Sequence, residues 1–142
     1  MPSQTDISRL IQQFEKVCCA LKERAGASSW DWDGRFSTAL VATQDPEHKE
    51  MLALLDELFT SSYDSASIRQ APEHIATLSA KLGGMRSGQR MFSLGDGDPV
   101  LFGLWWPWDN GTRFSLRVGC HGTSDEAQAL DPRALIQRSF GV

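Results

Sequence analysis

At 142 residues the chain has the length of one domain and enough apolar surface to build a single core. Its composition, 41% hydrophobic and 23% charged, is that of a folded chain and excludes a disordered or fibrous one. Fourteen basic against eighteen acidic residues give a formal net charge of -4, which opposes nucleic-acid phosphate unless the basic side chains gather on one face, and in sequence they are scattered.

The N-terminal Met-Pro-Ser-Gln-Thr-Asp has no basic region followed by an apolar one, and no apolar run approaches the roughly 20 residues needed to span a bilayer, so a cytoplasmic protein without membrane contact is expected. Cys18 and Cys19 are adjacent, a poor geometry for a mutual disulfide, and the odd third cysteine, Cys120, fits reduced thiols in the same compartment.

Ile7, Leu10, Ile11, Phe14, Val17, Cys18 and Leu21 recur at three-and-four spacing and predict a helix over 7–25, capped by Thr5 or Asp6 and ended by Gly26. From Gly34 to Thr43 the period changes to two, with Phe36, Thr38, Leu40 and Ala42 on one face, which reads as a strand. Asp45-Pro46 supplies a cap and a first-turn proline for a helix over 46–60 with Met51, Leu52, Leu55, Leu58 and Phe59 inward. Thr60 to Gln70, rich in Ser, Asp and Ala, lacks a period and reads as the longest connection. Pro72 opens a third helix carrying Ile75, Leu78 and Leu82, and Gly83-Gly84 closes it.

Arg90 to Leu94 and Val100 to Trp106 form a predicted hairpin about Gly95-Asp-Gly-Asp-Pro99. Pro107-Trp-Asp-Asn-Gly111 is a second turn, because Asn-Gly supplies positive φ, and Thr112 to Gly119 returns with Phe114, Leu116 and Val118 inward, completing a three-stranded meander. Asp131-Pro132 repeats the cap-plus-proline signal before a short terminal helix with Leu135 and Ile136. The fold class expected is α+β, residues 1–142 as one domain, with an antiparallel sheet of one strand plus the meander packing one face on the helices at 7–25 and 46–60.

Motifs that could carry chemistry mostly have structural explanations. Gly83-Gly-Met-Arg-Ser-Gly88 follows a helix and precedes a strand, the reverse of a phosphate-cradling loop, and lacks the Gly-Lys-Ser/Thr ending. Asp31-Trp-Asp-Gly34 and Gly95-Asp-Gly-Asp98 place two carboxylates two apart without the further oxygen ligands or closing Glu of a calcium loop, so turn chemistry accounts for them. His48, His74 and His121 fit no zinc frame. Cys120-His121 would need both side chains on one face, which adjacent strand residues do not provide. No metal and no cofactor is expected.

The five tryptophans fall in two knots, Trp30-Asp-Trp-Asp-Gly34 and the hairpin around Trp105, Trp106 and Trp108. Alternation puts Phe102, Leu104 and Trp106 on one face, assigned to the core, and Trp105 on the other, either under the helices or exposed. Trp108-Asp109 sits at a turn where burial is difficult and a partner anchor is plausible. Trp30, Asp31, Trp32, Asp33, Trp105, Trp108 and Asp109 are therefore the candidate partner-binding residues, with no catalytic set.

The first amphipathic helix, the tryptophan-rich strand start, Gly83-Gly-Met-Arg-Ser-Gly-Gln89 before a strand and Phe102-Gly-Leu-Trp-Trp-Pro-Trp108 on a hairpin resemble the α+β immunity proteins of bacterial polymorphic toxins and type VI secretion effectors. The resemblance covers about Trp30 to Cys120. It implies a protein without catalytic activity that binds one cognate toxin and blocks its active site, a role its acidic balance suits where toxins present basic clefts. A type III secretion chaperone shares the size and charge, but the order of one strand, two helices and a meander fits it less well. A small hydrolase or transferase using Asp31, Asp33 or His121 ranks last, because no nucleophile has a base and an orienting third group.

Overall fold

Phe14, Val17, Cys18 and Leu21 bury one stripe of a long helix, α1 (Gln4–Arg24), with Leu10 and Ile11 half-buried beside them. The helix begins ahead of Thr5 and Asp6, which lie inside it instead of capping it. The computed structural model describes residues 4–24, 30–44, 48–95, 99–108 and 113–142. Gly26 as a helix stop, the Asp45-Pro46 cap, Asp96 to Asp98 of the first turn and Asp109 to Gly111 of the second lie outside the described residues.

The chain is α+β. After β1 (Asp31–Asp33) and β2 (Thr38–Gln44) come α2 (His48–Leu58), β3 (Ser61–Tyr63), a 3-10 turn at Ser67–Gln70 and α3 (Glu73–Lys81). The meander follows as β4 (Arg90–Leu94), β5 (Val100–Trp108) and β6 (Arg113–His121), and the chain ends in α4 (Asp125–Ala129) and α5 (Pro132–Phe140). All six strands are antiparallel in the order β1-β2-β6-β5-β4-β3. The expected meander and its neighbouring strand form the centre, and two unpredicted three-residue strands finish the edges. The expected strand over 34–43 is shortened at its start, because Gly34 to Ser37 form a tight turn with Ser37 at φ 54°, and pairing with β6 begins at Ala39.

Helices cover both faces of the sheet. On one, α1, α2 and α5 pack on Ala39, Val41, Phe92, Leu94, Leu101, Trp105, Phe114, Leu116 and Val118. On the other, Ile75, Leu78 and Leu82 of α3 cover Met91, Val100, Phe102 and Leu104. Val100 to Trp105 are consequently buried without a break, as in a strand enclosed on both sides. This corrects the expectation of one packed face and reverses the tryptophan assignment. Trp105, 4% exposed, lies in the larger core stacked on Phe114 with ring centroids 3.8 Å apart, whereas Trp106 is half-buried at the margin of the α3 cluster.

Local signals set the helix ends. Asp131 Oδ1 accepts from the Ala134 amide (3.2 Å) ahead of Pro132, the cap read in the sequence. Ser124 Oγ likewise accepts from the Ala127 amide (3.1 Å) and starts α4, a helix of five residues that sequence periodicity missed. Gly83 and Gly84 close α3 at positive φ, with the Gly84 amide donating to the Ser79 carbonyl at 2.9 Å.

One glycine is fixed by packing. Gly119 lies opposite Phe102 across β5 and β6, and a Cβ there would stand 2.5 Å from Phe102 Cζ and 3.0 Å from Thr38 Cγ2. The Phe102 ring is itself enclosed under α3, so it cannot swing away. Gly119→Ala is expected to cost about 1 to 3 kcal/mol, read as a lowered thermal midpoint; an unchanged midpoint would mean that the Phe102 ring has room to move.

Candidate arginine–aromatic cleft

Arginine 117 joins the two tryptophan knots. Alternation along β6 turns Phe114, Leu116 and Val118 toward α1 and leaves Ser115 and Arg117 on the opposite face, beside Leu104 and Trp106 of β5 and Leu40 of β2. There the Arg117 Nε donates to Asp33 Oδ2 at 2.9 Å and Nη1 donates to Ser115 Oγ at 2.8 Å. Its guanidinium lies over the Trp106 ring, 4.4 Å from the centroid. The pair is well shielded, with side chains 11% and 14% exposed for Arg117 and Asp33.

Asp33 also organises the β1–β2 turn, because its Oδ1 accepts from the Arg35 amide at 3.0 Å. Burial alone pushes the Asp33 carboxyl up. The hydrogen bond from Arg117, the amides of Arg35 and Phe36 and the Arg117 charge outweigh it and hold the group below the ordinary carboxylate value. The turn delivers Phe36 edge-on to Trp106, with centroids 5.5 Å apart, and Arg35 lies over Phe36 at 5.0 Å.

Opposite this wall runs the loop after α3. The Arg86 amide donates to Gln89 Oε1 (2.9 Å) and the Gln89 amide returns to the Arg86 carbonyl (3.0 Å), which closes the loop on itself; Gly88 lies against Pro107. Between loop and sheet is a cleft of about 380 Å³ whose lining includes Arg35, Phe36, Arg86, Trp106, Pro107 and Arg117, together with Gly83 and Gly84. Two guanidiniums over two aromatic rings, with Arg86 as a third cation in the lining, can bind a planar or anionic group by stacking and charged hydrogen bonds.

The candidate residues read from sequence separate into distinct environments. Trp30, 9% exposed, packs on Phe140 of α5 with centroids 4.3 Å apart, and Trp32 is half-buried beneath Arg133 of α5 at 5.3 Å. Trp30 and Trp32 therefore seat the terminal helix, and Trp105 belongs to the core; burial takes Trp30 and Trp105 out of the accessible surface. Asp31 is exposed, while Asp33, expected as part of an acidic contact surface, is neutralised by Arg117. Trp108 ends β5, but its side chain and the whole of Asp109 lie outside the described residues. Sequence reading missed Arg35, Phe36, Arg86, Pro107 and Arg117. The parity of Arg117 in β6 was available as a signal, whereas its meeting with Asp33, 84 positions away, was not.

The remaining chemistry is disposed as expected from strand geometry. Cys120 packs toward α1, and His121 faces the other side, lining a second cleft with Glu73, His74 and Thr77 of α3. None of the three cysteines is in a disulfide, and burial pushes the Cys18 thiol up to about 12, which leaves it protonated and unreactive. Among the described residues no three His, Cys, Asp or Glu side chains form a metal-holding group, and no helix is long and apolar enough to cross a membrane. No family model, curated protein or solved structure matches the chain.

Proposed function

We propose that the protein is an immunity protein, a binding protein without catalytic activity that neutralises a cognate bacterial toxin by occluding its active site, and that it meets the toxin through the Arg117 cleft. The observation that carries this reading is the clustering of Arg35, Phe36, Arg86, Trp106 and Arg117 at one accessible place on a sheet buried on both faces. Tryptophan and arginine dominate the energetic centres of protein interfaces, because each presents a large, stiff contact area with a polar edge. Here Trp106 stands on β5 and Phe36 on the β1–β2 turn, and the Asp33–Arg117 pair holds the central guanidinium in place before a partner arrives, which reduces the ordering cost of binding.

Co-expression with the polypeptide encoded by the neighbouring reading frame tests the reading. Growth arrested by that polypeptide should be restored by this chain, and the two should purify as one complex. Arrest that persists despite soluble expression of the chain would reject the immunity role, and a neighbouring type III effector kept soluble by the chain would put a secretion chaperone in its place.

A further inference from the structure

We infer that the cleft receives an acidic segment of the partner protein, with a carboxylate entering between Arg35, Arg86 and Arg117 and an apolar neighbour resting on Phe36 and Trp106. This rests on the cleft being the partner-binding surface, and it reverses the charge expected from the chain as a whole. The protein carries a net charge of -4, which favours a basic partner at long range. Among the described residues, however, the cleft is lined by three arginines and no carboxylate, and only Arg117 is paired, with Asp33 outside the lining, which leaves two positive charges. At physiological salt, charges are screened over about 8 Å, so at contact distance the local pair of cations prevails over the distant surface.

The donors themselves are poised for a carboxylate. Arg117 meets Asp33 through Nε alone, the other Asp33 oxygen being turned to the Arg35 amide, so the two-point fork that arginine offers an acid is incomplete. Nη1 is held by Ser115, and Nη2 has no hydrogen-bond partner among the described residues. The Trp106 ring lies against the same guanidinium, a contact that uses none of its N–H donors. Neither Arg35 nor Arg86 has a carboxylate partner among the described residues, and the Arg35 guanidinium already lies over the Phe36 ring.

A carboxylate suits the site better than a phosphate. The glycines lining the cleft follow the C-terminus of α3, where the helix dipole presents its negative end, the opposite of the N-terminal amide cradle that phosphates favour. A singly charged carboxylate meets that end at lower cost than a dianion. The net negative charge of the chain likewise disfavours a long polyanion such as nucleic acid and leaves a short acidic segment as the fitting occupant.

The test is a titration followed by the indole Nε1–H signal of Trp106 and the Nε–H signal of Arg117. The probes are a hexapeptide alternating Glu and Phe, the same peptide with Lys for Glu, and inorganic pyrophosphate, applied to the native chain and to Arg35→Glu/Arg86→Glu. Both arginines are exposed, so the double variant should keep its thermal midpoint. The Glu–Phe peptide should move both signals, bind on the order of tenfold or more weakly to the double variant, and weaken further with added salt. Binding of the Lys–Phe peptide at these signals, tighter binding of pyrophosphate than of the Glu–Phe peptide, or signals unmoved by the Glu–Phe peptide would each overturn the inference. The growth assay separates the two readings. Equal protection by the native chain and the double variant removes the acidic-segment inference and leaves immunity standing, whereas peptide binding without protection does the reverse.

Discussion

Replacement of Trp105 by alanine should lower stability by about 3 to 5 kcal/mol, while the same change at Trp106 should cost only about 1 to 2 kcal/mol. Trp105 fills the larger core beneath α1, α2 and α5 and stacks on Phe114, so truncation leaves a cavity walled by elements that the sheet holds apart. Trp106 loses an edge contact with Phe36 and the cation over its ring, both at a margin where water can take the vacated place. For a chain of this length the first cost corresponds to a fall in melting midpoint of roughly 10 to 20 °C. Thermal unfolding of the two variants side by side checks the order, and a lower midpoint for Trp106→Ala would mean that the assigned faces of β5 are exchanged.

Removal of Asp33 should be the second costly change. With both side chains mostly enclosed, Asp33→Ala strands the Arg117 cation without its counter-ion and releases the β1–β2 turn, a loss of about 3 kcal/mol. The double change Asp33→Ala/Arg117→Met should recover part of it, because the desolvated charge disappears along with its partner. The pH dependence has a definite sign. Asp33 is held below the ordinary carboxylate pKa in the folded chain, so its contribution is complete above about pH 4 and fades as pH falls through the lower folded value. Asp33→Ala should therefore differ most from the native chain near neutrality and converge with it in acid. A difference that is constant with pH would contradict the ion pair.

These two cases also mark what the sequence made legible. Period-two alternation in β5 separated Trp105 from Trp106 correctly, but it carries no information on which side holds the larger core. Because α3 covers the second face, both sides of the strand are apolar and the choice between them was undetermined. The Asp131-Pro132 cap and the glycine stop after α3 were readable because their causes lie within a few residues. The edge strands β1 and β3 were not, since three residues are too few to show a period and their existence depends on the partners β2 and β4.

The cleft was the least legible feature. Each tryptophan knot was conspicuous, yet Trp30 and Trp105 are buried as packing residues and Trp32 is half-buried under α5. The cleft is lined instead by Arg35, Arg86 and Arg117, which are scattered in sequence and gathered only by the register of β2, β6 and β5 and by the fold of the loop after α3.

Calorimetric titration of the native chain and of Arg35→Glu/Arg86→Glu against the polypeptide encoded by the neighbouring reading frame tests the role of the cleft most directly. Binding through Arg35 and Arg86 predicts a one-to-one complex with the native chain and a loss of at least about 2 kcal/mol, on the order of thirtyfold in Kd, for a double variant of unchanged melting midpoint. Equal affinity and enthalpy for the two proteins would show that the partner binds elsewhere and would contradict the assignment of this cleft.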